Sequence, residues 1–117
     1  MNVIGSRPDG WWRDRAGAIA RLVGQVDHWA EDGEERVTVM LEHEPREALR
    51  AERIEIAWAS AGGRDAADRE ILARLPGWLD EDRVVVVTSD RDLGTKARAA
   101  GAGVVPSRPF RAELDSL

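Results

Sequence analysis

The sequence predicts an α/β fold, and three observations carry that expectation. Val84 to Val87 is a run of four β-branched residues with no polar alternation, the pattern of a strand covered on both faces in a parallel sheet. Strand-like stretches alternate along the chain with amphipathic helical ones, which implies right-handed crossovers and a mostly parallel sheet. With 117 residues the chain is long enough for one domain spanning 1–117 and too short for two.

The elements follow in order. Met1 to Ile4 is a short apolar first strand, and the turn residues Gly5-Ser6-Arg7-Pro8-Asp9-Gly10 start a loop. From Trp11 to Glu31, Ile19, Leu22, Val23, Val26, Trp29 and Ala30 recur at helical spacing, and Gly33 ends the helix. Arg36 to Leu41 reads as a second strand and Glu42 to Glu52 as a solvated charged segment. Arg53 to Ala59 alternates through Ile54, Ile56 and Trp58 as a third strand. A helix opens at Asp65, buries Ile71, Leu72 and Leu75, and is interrupted at Pro76-Gly77, with Trp78 and Leu79 packing back onto the sheet. After the valine strand, Leu93 to Ala100 is a helix closed by Gly101. Gly103 to Val105 is the last strand, and Pro106 onward is a tail in which Phe110 and Leu114 fold back. The five strand candidates make a sheet of about five strands, whose first strand is short for the purpose.

Composition narrows the function. Apolar residues make up 43% and charged residues 33%, as in an ordinary globular domain and unlike a disordered one. No apolar run is long enough to span a membrane, and no basic-then-apolar leader is present. Zero cysteines exclude disulfides and thiolate metal sites and fit a cytoplasmic location. A net charge of −5 argues against non-specific nucleic-acid binding over the whole surface. The basic residues are sixteen arginines and one lysine; guanidinium suits phosphate, although GC-biased coding explains the same bias.

Two acidic clusters follow strands and open helices: Asp65-Ala66-Ala67-Asp68 and Ser89-Asp90-Arg91-Asp92. In a parallel sheet both lie on the carboxyl edge, where ligands gather. Converging carboxylates suit hard cations such as Mg²⁺ or Mn²⁺. Capping is the competing explanation. Asp65 is a natural N-cap with Asp68 three residues on, and Asp92 in a first turn suits the helix dipole. Asp90 is the hardest to explain that way, because Ser89 could cap the same helix. His28 and His43 lack partners at ligand spacing, and no glycine-rich phosphate loop is present. Trp29, Trp58 and Trp78 fall at core spacing, whereas Trp11 and Trp12 could line a groove mouth.

The segments Asn2-Val3-Ile4-Gly5, Ala67-Asp68-Arg69-Glu70-Ile71 and Val87-Thr88-Ser89-Asp90-Arg91-Asp92-Leu93 together resemble the YacP-like NYN family of PIN-like ribonucleases. The resemblance covers nearly the whole chain. It implies a three-layer α/β/α PIN-like domain with a metal-dependent endoribonuclease centre. Its motifs map onto Asn2 beside the first acidic position, Asp68 as the second acid and Asp90 as the third. Asp92 would be a fourth acid, or a group supporting the others from behind. The family's first-motif Asp, three residues ahead of the Asn, would fall before Met1: either the sequence starts short of it or the acid is lost, and its loss would weaken the centre. Glu42, just after the second strand, is the available stand-in for an aspartate that members often carry there.

The resulting expectation is a hydrolase acting on RNA phosphodiesters. Asp68, Asp90 and Asp65 would hold Mg²⁺ or Mn²⁺, Asn2 and Asp92 would position metal or water, and Thr88, Ser89, Arg91 and Arg7 would lie near phosphates. The alternative is a degenerate domain that binds RNA, a ribosome surface or a protein without cutting. A generic doubly wound phosphohydrolase would need a phosphate loop that the sequence lacks.

Overall fold

A computed structural model describes residues 15–45 and 48–116, with side chains described from residue 17. Helix α1 (Arg15–Ala30) keeps the three- and four-residue spacing of its apolar positions: Leu22, Val23, Val26 and Ala30 are all buried. Strands β1 (Thr38–Leu41) and β2 (Glu55–Trp58) then pair in parallel, Thr38 opposite Glu55 and Leu41 opposite Trp58. The start of β2 is tied to the end of α1 through side chains. The Asp27 carboxylate accepts from the backbone N–H of Glu52 at 3.0 Å and of Arg53 at 2.7 Å, and Arg53 Nη2 donates to the Glu31 carbonyl at 2.6 Å. Those backbone donors, Arg53 first, hold the Asp27 carboxyl below its usual pKa.

Helix α2 (Ala66–Glu81) follows, then β3 (Val85–Val87), α3 (Arg91–Ala100), β4 (Gly103–Val105) and α4 (Ser107–Asp115). β3 and β4 are parallel, with Val86 opposite Val104. Gly101 closes α3 at φ 112°, a left-handed conformation natural to glycine.

Strand residues alternate between two apolar clusters, as a period of two requires. Met40, Ala57 and Val86 pack with Ala67, Ile71 and Leu75 of α2 and Leu93 and Ala97 of α3. Val39, with the half-buried Leu41, Ile56 and Val87, packs with Leu22, Val23 and Val26 of α1 and Phe110 and Leu114 of α4. Thus α2 and α3 cover one side of the strands, and α1 and α4 the other.

Several expectations need correction. The central sheet of about five strands is not formed: the described residues make two separate two-stranded parallel sheets, and a PIN-like three-layer fold is not supported. Among the described residues each strand has a single ladder partner and is only three or four residues long. Periodicity marks which segments are extended, whereas pairing is decided by contacts distant in sequence. The expected first strand, Met1 to Ile4, lies outside the described residues, as do Trp11 and Trp12.

The valine run is not covered on both faces along its length. Val84 and Val86 face the first cluster and Val87 the second, but Val85 is 60% exposed. Trp58, expected in the core, is 39% exposed. Pro76 does not interrupt α2, which runs through it to Glu81; Pro76 and Gly77 sit on the exposed side, where the lost backbone bond faces water. The segment after Pro106 is a helix, with Ser107, Phe110 and Leu114 buried along one stripe. Its internal Pro109 falls in the first turn, where no N–H partner is missing.

Candidate functional site

The carboxyl ends of β1, β2 and β3 lead into segments that carry acids. β1 ends at Leu41, and Glu42 immediately turns toward α2, where its Oε2 accepts from the Ala67 N–H at 3.1 Å. Glu42 therefore satisfies an N-terminal donor of α2 that the expected cap, Asp65, leaves unmet. Asp65 has φ 57° and ψ 32°, a left-handed conformation, and its side chain makes no capping bond. A non-glycine residue there carries local strain, tolerated by Asp better than by most residues.

The loop before Asp65 is braced from α2 by two adjacent side chains. Glu70 Oε1 accepts from both the backbone N–H (2.9 Å) and the Oγ (3.0 Å) of Ser60. Arg69 donates to the carbonyls of Gly62 and Arg64. Glu70 also pairs with Arg74 at 2.9 Å. These bonds, led by the Ser60 backbone, pull the Glu70 carboxyl down to about 2 from 4.5.

After β3, each residue of Thr88-Ser89-Asp90 has a defined structural partner. Thr88 is buried, its N–H bonds the Val105 carbonyl at 2.9 Å, and its Oγ1 accepts from the Asp90 N–H at 3.0 Å. Ser89 Oγ accepts from the Ser107 N–H at 2.9 Å and so caps α4, not α3. Asp90 caps α3, its Oδ1 accepting from the Leu93 N–H at 2.8 Å. Asp90, expected to be the acid that capping explains least, is thus the cap of α3, and Ser89, expected to be able to cap that helix, serves α4 instead.

The two acidic clusters meet at Asp68, in the first turn of α2. Asp68 is half-buried, and its pKa is raised: burial is the largest cause, and the carboxylates of Asp90, Asp65 and Glu42 add to it in that order. The charge of Asp90, far from Asp68 in sequence, is therefore felt at Asp68. Asp92 points elsewhere. It is exposed and pairs with Lys96 one turn along α3 at 2.9 Å. Arg91 is exposed at the start of α3, and Asn2 and Arg7 lie outside the described residues.

Neither histidine joins this edge. His28 Nδ1 lies 3.4 Å from Glu31 on α1, and His43 Nδ1 lies 3.2 Å from the Glu44 carbonyl. Among the described residues, no three His, Asp or Glu side chains stand close enough to share one metal ion. Among the described residues a divalent cation could therefore draw on at most two carboxylates, the rest of its shell being water, which is an ordinary arrangement for Mg²⁺.

Sequence reasoning undervalued Glu42, whose position one residue past β1 was its only local signal. No helix of the described residues is long and apolar enough to cross a membrane. No protein-family model, curated protein or solved structure matches the chain.

Proposed function

We propose that the chain is a Mg²⁺- or Mn²⁺-dependent hydrolase acting on RNA phosphodiesters. One observation supports this above all: Asp68 is half-buried among the carboxylates of Asp90, Asp65 and Glu42, each of which raises its affinity for a proton. Carboxyl groups perturbed by burial and by neighbouring carboxylates cluster where chemistry is done. The resemblance of Ala67–Ile71 and Val87–Leu93 to ribonuclease motifs points the same way, through the two segments that open α2 and α3.

Asp68 and Asp90 would hold the cation, which when bound neutralises charge developing on a phosphodiester and makes a bound water a better nucleophile. Asp65, exposed and free of a capping bond, would accept a hydrogen bond from the attacking water. Arg91, exposed at the start of α3, would donate to a phosphate oxygen. Cleavage of a labelled RNA in Mn²⁺ by the wild type and by Asp68→Asn tests the reading. Activity lost in D68N and in EDTA is expected; D68N cutting at the wild-type rate would overturn it.

A second reading is a non-cleaving domain that binds RNA, a ribosome surface or a protein. It is favoured by Glu42 and Asp90 both making capping bonds and by the lack of a three-acid cage among the described residues. Melting in rising Mn²⁺ separates the two, since a ligand that binds only the folded chain raises stability. No shift at millimolar Mn²⁺ favours the binding module.

A further inference from the structure

We propose that the groove between α1 and α4 is a binding site for inorganic hydrogen phosphate, a reading independent of the acids that open α2 and α3. The groove measures about 460 Å³. Arg21, Gln25 and His28 line it from α1, and Arg111, Leu114 and Asp115 from α4, spacings that put each trio on one helix face. Gly24 lines it too, and a Cβ built there would meet nothing within 4 Å, so the groove comes up to the bare backbone of α1.

The lining carries two guanidinium groups against one carboxylate, in a chain whose net charge is −5. Local positive charge on an acidic protein favours a small anion. The Arg111 side chain is only 12% exposed, so its guanidinium is held in the wall before any ligand arrives, with Nε 3.9 Å from Asp115 Oδ1. Gln25 Nε2 donates to the same Asp115 oxygen at 3.1 Å and ties the two helices together. A tetrahedral anion can accept from the guanidinium groups of both helices at once, whereas a planar carboxylate matches a single fork.

Asp115 decides which tetrahedral anion. A carboxylate repels a bare anion but accepts a hydrogen bond from one that still carries a proton. Gln25 supplies a second acceptor, since its Oε1 is buried and takes no hydrogen bond from the described residues. Such an acceptor carries a desolvation cost that an incoming O–H relieves. Near neutral pH, hydrogen phosphate keeps one P–OH. Sulfate has none, and a phosphomonoester, with a second pKa of about 6, has mostly lost its own. Donors for the oxygens and acceptors for the proton therefore stand in one groove.

The test is calorimetric titration of the full chain, at constant ionic strength, with phosphate, sulfate, methyl phosphate and acetate. The wild type should bind phosphate in the millimolar range or below, at least about tenfold more tightly than sulfate, as one hydrogen bond to a charged group can supply. Arg21→Ala should weaken phosphate roughly tenfold on the same ground. Asp115→Asn should remove the discrimination, so that sulfate binds as well as phosphate. Gly24→Leu leaves every charge in place but fills the groove; it should abolish binding while melting no lower than the wild type in phosphate-free buffer. D68N should bind phosphate as the wild type does, whatever becomes of its cleavage activity. No phosphate binding by the wild type in the millimolar range, sulfate, methyl phosphate or acetate bound as tightly as phosphate, unchanged affinity in R21A or G24L, or a preference for phosphate that survives in D115N would each overturn the proposal. Phosphate binding lost in D68N would likewise overturn the assignment to this groove.

Discussion

Asp90 carries two roles that substitution can separate. Its Oδ1 accepts from the Leu93 N–H at 2.8 Å, and its charge raises the proton affinity of Asp68. Asp90→Ala removes both the cap and the charge. Losing an N-cap acceptor costs about 1 kcal/mol, within a range of about 0.5–2 kcal/mol. For a chain of this length that is roughly 3–5 °C in Tm. Relief of repulsion at Asp68 works in the opposite direction and is smaller, because both acids are partly in water. Asp90→Asn keeps an acceptor of nearly equal capping strength while removing the charge, so its melting temperature in EDTA should lie close to that of the wild type and above that of D90A. In millimolar Mn²⁺ the wild type should gain stability and both variants should not. Thermal melts of the three proteins with and without metal decide the matter. If D90N falls as far as D90A in EDTA, the capping bond is misassigned. If D90N keeps the full Mn²⁺ shift, Asp90 does not hold the cation.

Three further outcomes follow from the packing and the charges. Glu70 and Asp68 should give pH dependences of opposite sign. Folded Glu70 titrates near 2 against an ordinary 4.5, so its ionised form stabilises the fold above about pH 4.5 and that contribution fades as pH falls toward 2; Glu70→Gln should cost most at neutral pH and little near pH 2. Folded Asp68 titrates above its ordinary 3.8, so a penalty develops as pH rises from that value through the raised one; D68N should melt higher than the wild type at neutral pH in EDTA and equal to it in strong acid. Gly24 sits on the exposed side of α1, and a Cβ there would meet nothing within 4 Å, so Gly24→Ala should stabilise by about 0.5–1 kcal/mol in urea melts; a loss would show that the helix backbone is contacted there. Leu75 is fully buried between α2 and the strands, and Leu75→Ala should cost about 2–5 kcal/mol with little change in denaturant slope.

How far the sequence disclosed this arrangement depended on the range of the interaction involved. The stripe of Leu22, Val23, Val26 and Ala30 marks α1 because helical spacing is local, and Gly101 marks the end of α3 because its left-handed backbone is local too. α4 was hidden by the punctuation of Pro106 and Pro109, although Ser107, Phe110 and Leu114 already stood at helical spacing. Pairing was not legible, since nothing in Val84–Val87 says that β3 pairs with β4 and with no other strand among the described residues, or that Val85 stays open.

The candidate edge shows the same division. That acids following β2 and β3 would lie at one end of the strands follows from strand direction, which the alternation of elements reveals. Which acid caps which helix does not. Ser89 reaches the N-terminus of α4, eighteen residues on, and Glu42 reaches α2 across twenty-five, displacing Asp65 from the role that its position suggested. Trp58 alternates like a core residue yet is exposed at the last position of β2.

Direct titration of Mn²⁺ into the wild type, D68N and D90N, read calorimetrically and by electron paramagnetic resonance of the free ion, bears most immediately on the claim that these acids share a cation. One site per wild-type chain is expected at millimolar or lower concentration, with its affinity reduced at least about tenfold in each variant. A wild type that leaves Mn²⁺ free, or variants that bind it as tightly as the wild type, would contradict the claim.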